Sequence, residues 1–280
     1  MIRPWIEAMR LRTLPVSIAG VITAAGFALA DDCFRPLPAL LCLLFAVLAQ
    51  IASNFANEYY DYRDGLDRPG REGPRRGVTE GDITPQAMKR ATYLVLALAC
   101  AIGLSLIAWG GWWLLPVGII IALGAIAYSA GPFPLSRRGL GEIAVLFFFG
   151  VIPVNLTYYI MAGQFTSNVL LGSIAIGLMG ANVLLVNNYR DADEDETVGK
   201  YTYVVLFGRR TAMITYLING LIAAALMYPA TPTVITLLYI AAHGMLWNFM
   251  RTHRGAALNP ILGMTAMLMF LYSVAFALSA

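Results

Sequence analysis

The stretch SNVLLGSIAIGLMGANVLLVNNYRDADEDETVGK, residues 167–200, joins two halves of opposite character. Residues 167–190 are almost wholly apolar and long enough to cross a bilayer, which takes about 20 such residues. The tail then places five acids between Asp191 and Glu196. Asn187, Asp191 and Asp195 follow one another at four-residue intervals, so they share a face of any helix that continues past Asp191. Burying an ionisable group at a helix centre costs roughly 2.5–3.5 kcal/mol on insertion scales, so acids on such a helix usually face a cavity and do chemical work.

The same pattern occurs a second time. Residues 37–60 are apolar, and along them Gln50, Asn54, Asn57 and Asp61 fall at offsets of 0, 4, 7 and 11, again on one face. Interhelical hydrogen bonding is the plainer reading for Gln50 and Asn54, whereas Asn57 and Asp61 repeat the spacing of Asn187 and Asp191. Seven more apolar stretches lie at roughly 13–30, 92–110, 112–130, 141–162, 211–229, 231–250 and 259–279. With 59% hydrophobic and 12% charged residues in 280, the chain is too apolar for a soluble domain. The expected fold is an all-α integral membrane protein, nine transmembrane helices in one bundle. A single domain covers 1–280, with pseudo-repeat halves of roughly 1–130 and 131–280.

Charge sets the orientation. With nine spans, the N-terminus and every second loop collect 18 of the 19 Lys and Arg residues, and Arg35 alone falls on the other side. By the positive-inside bias the basic side is cytoplasmic, which puts the N-terminus inside and the C-terminus outside. The first apolar stretch follows Arg10 and Arg12 without an A-x-A-type cleavage site, so it reads as a retained helix. The net charge of +3 is loop asymmetry, and no basic patch interleaved with aromatics points to nucleic acid. Cys33, Cys42 and Cys100 lack metal-ligand spacing and read as packing residues.

Two carboxylates one helical turn apart can share a divalent cation, and a cation relieves the repulsion within the 191–196 run. Oxygen ligands without His or Cys suit Mg²⁺, which carboxylates commonly bind together with substrate phosphates. Asp191, Asp193 and Asp195 begin a calcium loop but lack the glycine at its sixth position. The loop after the second span adds Asp64 and Asp67 to Arg63, Arg68, Arg71, Arg75 and Arg76. Guanidinium forks grip phosphate oxygens, and Lys200, Arg137 and Arg138 reach the same side from other loops. Acids beside a basic group suggest a diphosphate. Asp61, Asp64, Gly65 and Arg68 partly mimic the opening of the CDP-alcohol phosphotransferase motif, whose later aspartates are missing. A cation- or proton-coupled transporter would hold its acids near mid-membrane on broken helices rather than at helix ends.

Two Asn/Asp motifs at the cytoplasmic ends of helices 2 and 6 in a nine-helix chain resemble the UbiA superfamily of intramembrane aromatic prenyltransferases. The likeness covers nearly the whole chain. LRTLP at 11–15, QIASNFANEYYD at 50–61, GPRRG at 73–77, GLGE at 139–142, NNYRD at 187–191 and GKYTYVV at 199–205 are similar to the branch that prenylates 1,4-dihydroxy-2-naphthoate. Glu58 stands where the family often has Asp.

The resemblance implies Mg²⁺ on Asn57, Asp61, Asp67, Asn187, Asp191 and Asp195, with Asp64 competing with Asp67 and Asn188 with Asn187. It implies catalytic roles for Asp61, Asp191 and Lys200, and a diphosphate held by Arg63, Arg71, Arg75, Arg76 and Lys200. Asn54, Asn188, Tyr128 and Arg138 are the expected acceptor contacts. The implied partners are a polyprenyl diphosphate, 1,4-dihydroxy-2-naphthoate and membrane lipid, with 4-hydroxybenzoate the alternative acceptor. The implied place is a bacterial cytoplasmic membrane, with the site facing the cytoplasm and a lateral opening for the polyprenyl chain.

Overall fold

Proline and threonine set where the helices begin. Thr84 accepts a hydrogen bond from the Ala87 N–H at 3.2 Å and Thr166 one from the Val169 N–H at 3.3 Å, capping helices that start at Pro85 and Ser167. The computed structural model describes residues 2–69 and 73–280. Its α-helices are α1 (Arg3–Met9), α2 (Leu14–Ala30), α3 (Pro36–Arg63), α4 (Pro85–Ser105), α5 (Ile107–Gly110), α6 (Leu114–Ala127), α7 (Gly141–Val145), α8 (Ile152–Ala162), α9 (Ser167–Thr197), α10 (Tyr203–Met227), α11 (Thr233–Thr252) and α12 (Asn259–Ser279). A π-helical turn, Leu146–Val151, joins α7 to α8. Among the described residues the only strand-like contact is an isolated bridge between Arg138 and Tyr201.

Each expected apolar stretch falls on a helix, but their lengths differ. Among the described residues seven helical spans are long and apolar enough to cross a membrane, or eight if α1 and α2, bent by 50°, count as one. α6 has only 14 residues, about 21 Å at 1.5 Å per residue, against a hydrocarbon core of roughly 30 Å. A count of nine therefore depends on α6 and on the 17-residue α2.

Two helices start earlier than the apolar pattern suggests. α4 begins at its Thr84 cap, with Lys89 and Arg90 already helical. α10 begins at Tyr203 but breaks at Gly208 (φ 79°, ψ 159°), so residues 203–207 form a separate piece beside the site.

α9 is the most enclosed span and packs against α10, α12, α2, α8 and the π turn. The close approach to the π turn needs glycine on both sides. A Cβ on Gly150 would stand 2.4 Å from the Gly177 Cα, and one on Gly177 2.6 Å from the Leu146 carbonyl oxygen. Asn155 donates to the Val151 carbonyl and to Ser173 Oγ, both at 2.8 Å, and so satisfies backbone polarity that the π turn exposes.

This seam fixes one wall of a cavity of about 600 Å³ between α2, α3, α4, α6 and the α7–α8 helix. Its lining is almost entirely apolar, with Gln50, Ser53 and Tyr128 among the few polar groups. α6 packs on α3, α4 and α5, and it meets the α7–α8 helix through side chains, Gly124 against the Phe148 ring and Leu114 against Ile160.

Gly177→Val is expected to lower the thermal unfolding midpoint in detergent by several degrees, an overpacking cost of about 1–3 kcal/mol. Gly118→Ala, whose Cβ meets nothing within 4 Å, is expected to leave it unchanged. Differential scanning fluorimetry of the two variants reads the difference.

Candidate active site

α3 and α9 continue without a break through their acids, to Arg63 and Thr197. Both Asn/Asp rows therefore keep helical spacing and emerge at the same end of the cavity. Asn57 donates to Asp61 Oδ2 at 2.9 Å and to Ser129 Oγ at 3.0 Å, while its own Oδ1 accepts from Arg10 and, at 3.2 Å, from Arg76. Asp61 is 2% exposed, and its other oxygen is held by Arg137 at 3.2 Å. Arg137 also reaches Asp64 at 2.6 Å, and Arg76 reaches Asp67 at 3.2 Å. Burial raises the Asp64 carboxyl, but hydrogen bonds from Arg63 and Arg137 outweigh it and hold the group below the ordinary carboxylate range.

On α9, Arg190 holds Asp191 through two bonds of 2.6 and 2.8 Å and donates to Asn187 Oδ1 at 2.9 Å. Its remaining nitrogen ties the cluster to Asn259 at 2.8 Å. Lys200 lies 3.2 Å from Asp195, and its backbone N–H donates to the Asp195 carbonyl at 2.8 Å. Between the two rows stands Tyr128, which lines the cavity and lies within electrostatic reach of Glu142, Arg10, Asp61 and Asp195. Each of Asp61, Asp67, Asp191 and Asp195 thus faces a cation, and charge at this apolar end is balanced pair by pair.

The chain over residues 19–277 matches the UbiA prenyltransferase family. It belongs to that family. It is 40% identical to the 1,4-dihydroxy-2-naphthoate octaprenyltransferase of Escherichia coli over 74% of this chain and 70% of that protein. The Mycobacterium tuberculosis protein of the same name is 35% identical, over 98% of this chain and 95% of its own length. A UbiA homologue from Archaeoglobus fulgidus, solved with GPP and Mg²⁺, superposes with a TM-score of 0.70 at 18% identity, covering 98% of this chain and 99% of that one. The chain is accordingly a multi-pass membrane prenyltransferase.

In this UbiA-family site, Asn57, Asp61, Asp67 and Arg76 form one network, and Asn187, Asp191, Asp195 and Lys200 cluster along α9. Both rivals near α3 are tied in, Asp64 through Arg137 and Asp67 through Arg76. Asn187 and Asn188 take different directions. The first faces Arg190, and the second donates to Glu142 at 2.8 Å, toward Tyr128.

Other expected residues lie apart. Asn54 donates to the Met9 carbonyl at 2.9 Å and ties α1 to α3. Arg75 turns away to Asp82 and Glu7, Arg63 lies over the Tyr60 ring, and Arg138 is exposed over Phe133. Arg71 lies outside the described residues.

Sequence reasoning gave no role to Arg10, Ser129, Glu58 or Glu142. Arg10 arrives from the turn between α1 and α2, far from either motif, and no spacing could have pointed to it. Glu58 sits next to Asn57 and is 1% exposed; its Oε1 accepts from the Val78 N–H at 3.1 Å. That bond holds the loop carrying Arg76 over the site. Glu58→Ala is expected to speed protease cleavage within 73–83 severalfold and to raise KM for the diphosphate, while Glu58→Gln, which keeps an oxygen acceptor, stays near wild type. Limited proteolysis and donor titrations read the two effects.

Proposed function

We propose that this enzyme transfers a polyprenyl group from its diphosphate to 1,4-dihydroxy-2-naphthoate with loss of CO₂, giving a demethylmenaquinol. The site faces the cytoplasm, in a bacterial inner membrane crossed nine times. The naming of the Escherichia coli, Haemophilus influenzae and Mycobacterium tuberculosis relatives carries the choice of acceptor. All three are 1,4-dihydroxy-2-naphthoate octaprenyltransferases, and the Haemophilus influenzae one is 32% identical over 99% of this chain.

The donor set fits Mg²⁺ held jointly with substrate. Among the described residues no three Asp, Glu, His or Cys side chains gather into a ready metal cage. The oxygens of Asn57, Asp61, Asp191 and Asp195 supply part of a hard-ion shell that phosphate oxygens complete. Asp67 and Asn187 stand next to it. Bound there, Mg²⁺ supplies charge stabilisation to the diphosphate as the allylic C–O bond ionises.

The chain's own groups do the rest. Arg76, Arg137 and Lys200, which balance the acids, would take up the charge of the leaving diphosphate. The apolar cavity keeps water from the allylic cation, and its almost wholly apolar lining suits a long prenyl tail. The ring carbon bearing the carboxylate attacks the allylic carbon, and the electron pair of the C–CO₂ bond returns to the ring as CO₂ leaves. No ring proton has to be removed.

Purified protein incubated with Mg²⁺, octaprenyl diphosphate and either acceptor, with products identified by mass spectrometry, tests the reading. Prenylated, decarboxylated naphthol is expected, and product from 4-hydroxybenzoate alone would overturn it. Asp61→Ala and Asp191→Ala are each expected to insert normally and to lose at least about a hundredfold in turnover. In a cysteine-free background, Glu80→Cys is expected to react with an impermeant maleimide in inverted vesicles and to stay protected in spheroplasts.

A further inference from the structure

The turn Gly139-Leu140-Gly141-Glu142 places a carboxylate within electrostatic reach of Tyr128, at the edge of the cavity that Tyr128 lines, and the mechanism above does not use it. Glu142 and Val145 are three residues apart on α7 and share a face, and Val145 lines the cavity. Tyr128 also lines it, with its hydroxyl 3.6 Å from where a Cβ on Gly141 would stand. Glu142 Oε1 accepts from Asn188 at 2.8 Å, while Oε2 is shielded from solvent and has no hydrogen-bond partner among the described residues. Each of Asp61, Asp67, Asp191 and Asp195 faces a cation, whereas the partners of Glu142 are neutral, the Asn188 amide and its own backbone N–H. A buried carboxylate oxygen left without a donor is costly, and a ligand that brings a donor removes that cost.

We propose that Glu142 is an acceptor-binding residue that takes a hydrogen bond from the 4-hydroxyl of the aromatic substrate. This rests on the reading of that substrate as 1,4-dihydroxy-2-naphthoate. Its 1-hydroxyl lies ortho to the carboxylate and closes an internal hydrogen bond, which leaves the 4-hydroxyl as the free donor. The acceptor's own carboxylate is drawn to the arginines at the mouth. The ring therefore lies with its 4-hydroxyl toward α7 and its carboxylate-bearing carbon toward the diphosphate. The 4-hydroxyl is meta to the attacked carbon, so the contact orients the ring without activating it. Its loss raises KM for the acceptor more than it lowers kcat.

The test compares 1,4-dihydroxy-2-naphthoate with 1-hydroxy-2-naphthoate, which lacks only that hydroxyl, in wild type, Glu142→Ala and Glu142→Gln. Wild type is expected to favour the dihydroxy acceptor in kcat/KM by about tenfold to a hundredfold, the scale of one hydrogen bond to a charged group. Glu142→Ala is expected to erase the preference and Glu142→Gln to cut it severalfold, with KM for the diphosphate unchanged. A structural role through Asn188 would depress both acceptors alike and keep the ratio. An unchanged ratio in either active variant, or no preference in wild type, overturns the contact while leaving the proposed function standing. Wild type that prenylates 4-hydroxybenzoate and neither naphthoate overturns the function, and this contact with it. If Glu142→Ala does not fold, Glu142→Gln alone decides.

Discussion

Asp61 sits at the end of a membrane helix with its two oxygens divided between Asn57 and Arg137, and the site is built around that division. An acid at the edge of an apolar bundle is tolerated only when a donor or a cation meets it. Here the cations arrive from separate parts of the chain: Arg10 from the first turn, Arg76 from the loop after α3, Arg137 from the turn before α7 and Lys200 from the loop after α9. Neutralising the acids therefore also gathers those loops over one mouth. Guanidinium groups that balance carboxylates balance phosphate equally well, so the same arginines would serve the diphosphate of the proposed reaction.

Beneath that charged layer the bundle is organised by backbone proximity. Gly150 and Gly177 let the π turn lie against α9, and Asn155 satisfies the carbonyl that the turn frees. α9 is thereby fixed as the spine, with Asp191 and Asp195 carried on its polar extension. Of the first-half helices α2 packs on it, while α3, α4 and α6 stand off and border the cavity. An amide network of Asn182, Asn219 and Tyr216, with Tyr216 bonded to Thr265, ties the second-half helices to the same spine. The half that carries α9 is thus densely locked, and the half that carries α3 holds the open space.

Glu58 and Glu142 show how acids outside the regular rows serve the same site. Glu58 reaches the backbone of the Arg76 loop, accepting from the Val78 N–H. Glu142 bonds to Asn188 of α9 and lies within electrostatic reach of Tyr128, which lines the cavity.

The sequence by itself determined the membrane class, the helix positions and both Asn/Asp rows, because hydrophobic length and four-residue spacing are local properties that a helix preserves. It also separated helix-end acids from mid-membrane ones, which pointed to chemistry at an interface. Only the tertiary structure decided which arginines belong to the site. Arg76 and Arg137 converge on the acids while Arg75 and Arg138 turn away, although each pair is adjacent in sequence. The π turn, the break at Gly208, the short α6 and the reach of Arg10 were likewise decided by packing. The physical reason is range: propensity and periodicity act over one or two turns, whereas charge pairing and close packing join residues more than forty positions apart, as between Arg10 and Asn57.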